Sequence, residues 1–245
     1  MIKLLSLETA TDHGSYCLWC GDVDSAAADV HTVTCPPEQP HAETLLPLLR
    51  QSLAKRGWSV QDLDAVAYDA GPGMFTGLRV SAALAQGLAF ASGKPVIGVC
   101  SLEALAESAF ERVSVQRVLT LLDARMNQIY AAAWERKVDG TWNPLLASCL
   151  VDPGAMDALV AATGVCSFDA VAGTALNEYP EVVAWCDGRK LRDSQVRSPD
   201  AAAVAVLGAR RFARGDVQDP AEAIPVYVRD RVALTSAERA AGLVL

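Results

Sequence analysis

The chain has 245 residues, of which 51% are hydrophobic and 20% charged, enough for one large or two small domains with a buried core. No apolar run reaches the roughly 18 residues of a membrane span, and the interrupted N-terminal run is too short for a signal peptide. The net charge of −8 argues against a protein that grips nucleic acid alone, because such proteins present a basic face.

The first part of the chain predicts three strands followed by alternating helices and strands. Apolar alternation predicts strands over 4–9, 15–20, 26–34, 63–68 and 96–99. Helical spacing predicts helices over 41–56, 75–91 and 102–110, and Gly57 and Gly93 end the first two. Thr76 and Ser101 are predicted as helix caps, because hydroxyl side chains favour that position.

The strand pattern of the N-terminus is repeated later in the chain. Residues 118–123 predict an apolar strand that ends in an acid, and 128–134 predict the next strand, so the pattern of residues 4–19 recurs. A strand near Val171 and a helix over 200–213 complete the second part. The order predicts an α/β, actin-like (ASKHA, ribonuclease-H-like) fold of two similar halves, 1–112 and 113–245, each a mixed sheet flanked by helices.

A glycine turn joins the predicted strand 63–68 to the helix that follows. Gly71, Gly73, Thr76 and Gly77 lie at a strand-to-helix junction, the layout that presents backbone N–H groups to an anion. The spacing matches neither a P-loop nor a dinucleotide fingerprint. Two interpretations stay open: a turn close to a nucleotide, or a turn with a structural role only.

The cysteines and the basic clusters carry little chemistry. Cys17 and Cys20 resemble a CxxC pair, but strand residues three apart point to opposite faces, which argues against a zinc or redox site. Arg210, Arg211 and Arg214 lie near a helix C-terminus, where the helix dipole favours cations.

Six motifs together make the chain resemble the TsaB (YeaZ) family. They are LETAT at 7–11, HAETLLP at 41–47, GPGMFTGLR at 71–79, GVCSLEAL at 98–105, LDAR at 122–125 and PVYVRD at 225–230. Three positions depart from the family pattern: Glu8 where Asp is common, and Ala42 and Met74 where Ser is common.

The resemblance implies a cytoplasmic, non-catalytic scaffold for making threonylcarbamoyladenosine (t6A) at position 37 of ANN-decoding tRNAs. It implies pairing with the catalytic paralogue TsaD and a further ATPase partner of the TsaE type. The net charge of −8 predicts that tRNA is contacted only indirectly, through a more basic partner. No catalytic residue, metal or tightly bound cofactor is expected, and ATP or ADP would be contacted only in the complex. Whether the chain forms a homodimer when alone stays open.

The residues also support a scaffold. Where the catalytic paralogue carries a metal-binding His-x-x-x-His, this chain has Ser101 and Leu105, which are poor metal ligands. A metal-dependent transferase or a glycoprotease is therefore disfavoured. The alternative is a stand-alone actin-like ATPase or kinase that uses Glu8 and Asp123 as magnesium acids, although the residues that follow them, 9–12 and 124–127, contain no glycine.

The helices predicted over 41–56 and 75–91 are the candidate partner surface. The resemblance implies that they form a helical bundle with their counterparts in TsaD, through Leu45, Leu46 and Leu49 and through Ala82, Ala83 and Gln86. Because apolar helix faces pack on a protein's own sheet by default, packing within this chain is the alternative for each face.

Overall fold

A computed structural model describes residues 1–12, 14–23, 28–36 and 39–229 of the chain. His13, residues 26–27 of the predicted third strand and the predicted tail from Asp230 onward lie outside the described residues. The strands are β1 Ile2–Glu8, β2 Ser15–Gly21, β3 Asp29–Thr34, β4 Ala65–Gly71, β5 Val96–Cys100, β6 Arg117–Asp123, β7 Ile129–Arg136, β8 Trp142–Val151, β9 Ala170–Ala172 and β10 Arg192–Asp193. The helices are α1 His41–Arg56, α2 Phe75–Ser92, α3 Ser101–Val113, α4 Met156–Ala162, α5 Ala175–Glu178, α6 Pro180–Gly188 and α7 Ala201–Ala213.

The strands form two sheets of the same design. The orders are β3-β2-β1-β4-β5 and β8-β7-β6-β9-β10. In each sheet the first three strands are antiparallel, and the last two run parallel to the first strand of that half. The two sheets confirm the predicted actin-like fold of two similar halves. The long strand β8 and the helices α4–α6 were not predicted.

Helices α3 and α7 lie between the two sheets. One buried cluster joins Leu4 of the first sheet, Leu105 of α3, Val204 of α7 and Val118 of the second sheet. A Cβ on Gly208 would come within 2.8 Å of the Ala67 Cβ, so α7 packs tightly on the first sheet. The predicted boundary at residue 112 therefore separates the two sheets, while α7 returns from the second half to the first sheet.

The outer face of the first sheet is covered by α1 and α2. Both helices end where the sequence predicts, at Gly57 and Gly93, whose φ of 66° in each case suits glycine. In the described part of the chain, each helix falls short of the length or the apolar character needed to span a bilayer.

Two predictions on local roles are wrong. Met74 is the N-cap of α2, and Thr76 lies inside the first turn. Ser101 is the first residue of α3, and its hydroxyl donates to Asp69 Oδ1 at 2.5 Å rather than capping the helix. Arg210 and Arg211 lie in the last turn of α7, as predicted, and they also pair with the glutamates of α3.

A buried ion-pair network joins α3 to α7 and to the second sheet. Glu107 of α3 is fully buried, contacts the guanidinium of Arg136, and accepts hydrogen bonds from Arg210 at 2.9 Å and from the Trp142 indole at 2.7 Å. Nearby, Arg211 of α7 donates to Glu103. Burial raises the pKa of Glu103, and the Arg211 charge opposes that rise.

Replacing Glu107 by Gln should lower the free energy of unfolding by about 3–5 kcal/mol, because it leaves two buried guanidinium groups without their counter-charge. Asp157→Asn is the matched control, since its pair with Arg189 is exposed and should cost less than about 1 kcal/mol. Urea unfolding of the three proteins measures both values. Equal losses in the two variants would contradict the assignment.

Candidate functional site

A cleft of about 380 Å³ opens between the two halves. Its walls are the turns that follow the repeated strands β1 and β6, together with the start of α2. The lining residues include Ala10–Asp12, Gly73–Thr76, Leu122–Met126, Thr174, Glu178 and Arg229. The cleft thus lies where the corresponding ends of the two repeats face each other.

The glycine turn packs directly on the turn after β1. A Cβ on Gly73 would lie 2.6 Å from the Ala10 carbonyl oxygen, and one on Gly77 would lie 1.8 Å from the Thr9 carbonyl oxygen. The Met74 N–H donates to the Ala10 carbonyl at 2.8 Å, and the Thr9 hydroxyl donates to the Gly77 carbonyl at 2.6 Å. These two glycines are therefore required by contact between backbones, whether or not a nucleotide also approaches the turn.

Gly71 makes a third close approach. Its φ is +110°, and a Cβ there would meet the Val226 carbonyl oxygen at 2.7 Å. The Val226 N–H donates to the Ala70 carbonyl at 2.6 Å, so the segment 224–229 is bound against the end of β4. The four predicted residues Gly71, Gly73, Thr76 and Gly77 thus lie at the junction of β4 and α2, and two of them, Gly73 and Thr76, line the cleft.

Asp123 holds the opposite wall of the cleft. It accepts hydrogen bonds from the Tyr179 hydroxyl at 2.7 Å and from the Arg125 N–H at 2.9 Å, and the Arg125 guanidinium lies 3.1 Å away. Burial and then the Asp123 carboxylate raise the pKa of Tyr179. Arg229 donates to the Ala124 carbonyl at 2.9 Å and so ties the C-terminal segment to this wall.

The turn after β6 adopts an uncommon backbone. Arg125, Met126 and Asn127 have φ of 60°, 55° and 55°, in the left-handed region that side chains disfavour. The contacts of Asp123 and Arg229 hold this conformation on both sides. The sequence signal that could have revealed it is weak, because only Asn127 is a residue type enriched in that region.

Glu8 does not face the cleft. It is fully buried, and its Oε1 accepts the Ala10 N–H at 2.7 Å. Burial, and then the charge of Asp69, raise its pKa well above the usual range of a carboxyl group. The two acids of the ATPase alternative therefore differ in placement, since Asp123 lines the cleft and Glu8 does not.

The positions of the metal ligands in the catalytic paralogue hold structural residues here. Ser101 donates its hydroxyl to Asp69, and Leu105 is fully buried in the core between the sheets. Among the described residues, no group of three or more His, Cys, Asp or Glu is placed to hold a metal ion. The residues at these two positions do not fit a metal.

The predicted partner surface divides into a buried and an exposed part. Leu45, Leu49 and Ala82 belong to the core that α1 and α2 form on the first sheet, because they face the strands. The prediction that these three residues form part of the partner surface is therefore wrong. Leu46, Ala83 and Gln86 are exposed on the outer side of the same helices.

The structure adds residues that sequence patterns missed. Phe90 of α2 is 81% exposed, next to the exposed stretch of α2. At the start of α2, Arg79 lies 3.6 Å from the Phe75 ring centroid and donates to the Tyr227 hydroxyl at 3.0 Å. Phe75 and Tyr227 are distant in sequence, and their 5.3 Å ring contact exists only in the folded chain.

Comparisons of sequence identify relatives whose names refer to the threonylcarbamoyl modification of tRNA. A family model described as "TsaD: tRNA N6-adenosine threonylcarbamoyltransferase" matches residues 36–160. The chain is similar to the tRNA threonylcarbamoyladenosine biosynthesis protein TsaB of Escherichia coli K12, with 32% identity over 95% of this chain and 96% of that protein. It is also 36% identical to the TsaB protein of Haemophilus influenzae, over 53% of this chain and 52% of that protein.

Comparisons of structure agree. A Pseudomonas aeruginosa protein described as similar to peptidase YeaZ superposes with a TM-score of 0.76 and 27% identity, over 94% of this chain and 100% of that one. A structure of YeaZ from the same organism gives a TM-score of 0.74 and 28% identity, over 93% of this chain and all of that one.

The two glycines of α2 allow a matched test of the contact between the turns. Gly77→Ala should lower the free energy of unfolding by at least about 2 kcal/mol, because the methyl group meets the Thr9 carbonyl. Gly87→Ala, in the same helix but with open space around it, should raise that free energy by about 0.5–1 kcal/mol. Urea unfolding gives both values, and a neutral Gly77→Ala would refute the contact.

Proposed function

The chain belongs to the TsaB family, and on that premise we propose that it is a non-catalytic scaffold subunit for t6A formation at position 37 of ANN-decoding tRNAs. The relatives that define the family are named for threonylcarbamoyladenosine biosynthesis. The scaffold role and its partners are the part of this proposal that goes beyond the family.

One observation supports the non-catalytic role. The two positions where the catalytic paralogue carries metal ligands are occupied here by residues that pack within this chain. The Ser101 hydroxyl is 2.5 Å from Asp69 Oδ1, and Leu105 is fully buried between the sheets. A metal at this place would need ligands to replace both residues. We therefore assign the transfer chemistry to another subunit.

The partner that we propose is a TsaD-like catalytic paralogue. The TsaD family model matches residues 36–160, which include α1, α2 and the turn between β4 and α2, so the partner would present a similar pair of helices. Leu46, Ala83 and Gln86 are exposed there, and the small side chain of Ala83 permits close approach of another helix. A homodimer through the same surface is the alternative when the partner is absent.

The remaining components follow from the same assignment. A TsaE-like ATPase would join the complex, and tRNA would be reached through the partner, because this chain carries a net charge of −8. ATP or ADP would be contacted only in the complex, where the turn of Gly71 to Gly77 borders the cleft. We place the complex in the cytoplasm, where tRNA is modified.

The partner surface is tested by light-scattering mass of the chain mixed with its cognate TsaD, beside each protein alone. We expect a 1:1 complex that Leu46→Glu or Ala83→Glu weakens at least about tenfold, because a charge at a helix contact costs about 1.4 kcal/mol or more. Val138→Glu is the control, since Val138 is fully exposed between β7 and β8. Unchanged binding in all variants would remove the surface from the proposal.

The non-catalytic role is tested by ATP hydrolysis and by t6A formation. We expect that the pure chain does not turn over ATP, and that t6A forms only when TsaD and TsaE are added. Turnover by the chain alone that Glu8→Gln abolishes would instead favour the stand-alone ATPase. Full t6A formation by the other subunits without this chain would refute the scaffold.

A further inference from the structure

Two acidic side chains lie side by side in the centre of the first sheet. Strands β1 and β4 are parallel, and Leu7 pairs with Tyr68, so Glu8 and Asp69 are the next residues along each strand. Residues at matching positions of neighbouring strands place their side chains on the same face. Both acids are fully buried.

Each acid uses one oxygen and leaves the other without a partner. Glu8 Oε1 accepts the Ala10 N–H at 2.7 Å, and Asp69 Oδ1 accepts the Gly71 N–H at 2.8 Å and the Ser101 hydroxyl at 2.5 Å. Glu8 Oε2 and Asp69 Oδ2 are buried and have no hydrogen-bond partner. An unpartnered buried oxygen is costly, and two adjacent buried carboxylates cannot both stay charged.

Among the described residues, none of the charged groups that shift the pKa values of the two acids is a cation. The charged groups that act on Glu8 are Asp69 of β4 and Asp200 at the start of α7, and both are acids. Asp200 itself caps α7 by accepting the Ala203 N–H and also accepts the Ser108 hydroxyl of α3. Beyond β3, the Cys35 thiol has its pKa raised by burial and by Glu8. Among the described residues, the missing positive charge at the pair can come only from a proton or a bound ion.

We propose that Glu8 and Asp69 share one proton at neutral pH, held between Glu8 Oε2 and Asp69 Oδ2. A single proton gives both orphaned oxygens a hydrogen bond and leaves one negative charge, which the N–H groups of Ala10 and Gly71 and the Ser101 hydroxyl stabilise.

The shared proton connects the two turns of the cleft. Glu8 holds the turn after β1 through Ala10, and Asp69 holds the glycine turn through Gly71. When the proton leaves, two buried negative charges face each other directly beneath these turns. The pair therefore makes the cleft wall of the first half sensitive to pH.

The sign of the pH dependence follows from the direction of the pKa shifts. Burial is the largest cause for both acids, and it raises the pKa of Asp69 to about 7 and that of Glu8 well above its usual range. The folded chain thus keeps a proton that the unfolded chain releases near its ordinary carboxyl pKa of about 4. The contribution of this proton to the free energy of unfolding is present in full below about pH 4. It is lost as the pH rises through the raised pKa values of the two acids, of which that of Asp69 is about 7.

Infrared spectroscopy of the unmodified chain detects the proton directly. We expect the C=O stretch of a protonated buried carboxyl group in the folded protein near neutral pH, and its loss in Glu8→Gln and in Asp69→Asn. An amide N–H can replace the proton in each variant by donating to the other acid, which then carries the single negative charge. A folded wild-type protein without that band would overturn the proposal, even if neither variant folds.

Urea unfolding over a pH series supplies the second test. The wild type should lose stability from about pH 5 to about pH 8, whereas Glu8→Gln and Asp69→Asn should show a flatter dependence. Glu43→Gln, an exposed acid in the first turn of α1, is the control and should keep the wild-type slope. Equal slopes in all four proteins would overturn the shared proton.

Added cations separate a proton from an ion at the same place. If Mg²⁺ or Ca²⁺ raised the melting temperature of the wild type but not of Glu8→Gln, an ion and not a proton would bridge the two acids, and the proposal would fail. We expect no such difference between the wild type and this variant.

Discussion

The relation between the two halves depends on a carboxylate buried between them. Glu107 of α3 is fully buried and lies against Arg136 from the second sheet and Arg210 from α7. A buried charge is strongly destabilising unless its partners are in place, so both guanidinium groups must lie against this carboxylate in the folded chain. Because α7 packs on the first sheet, the network connects that sheet, through α7 and α3, to the second sheet. The cleft opens between the same two halves.

The cleft wall of the first half shows how glycine serves a contact between two pieces of backbone. Residues 9–12, which directly follow β1, contain no glycine, and the sequence alone therefore presents them as a poor phosphate turn. In the structure the glycines that allow close approach belong to the junction of β4 and α2 instead. Gly73 and Gly77 bring this junction into contact with Thr9 and Ala10. The proposed proton between Glu8 and Asp69 lies beneath the same contact. Backbone packing and buried charge thus act together at one place.

The proposed scaffold role uses the outer side of α1 and α2 and not the cleft between the two halves. Helices α1 and α2 turn their leucines and alanines onto the first sheet, which leaves a narrow exposed strip around Leu46 and Ala83. That strip is small, so its binding strength would depend on shape and on a few anchors rather than on area. Phe90 and the stack of Arg79, Phe75 and Tyr227 are the bulky exposed side chains beside it.

The sequence by itself determined the order of strands and helices in the first half, the ends of α1 and α2 at Gly57 and Gly93, and the family. These features depend on hydrophobic period, glycine at helix ends and motifs that are continuous in the chain. Only the tertiary structure decided that Leu45, Leu49 and Ala82 face the core, that Ser101 binds Asp69, and that Arg210 pairs with Glu107. Each of these depends on which residues of distant segments meet, and partners as far apart as Arg210 and Glu107 leave no local pattern.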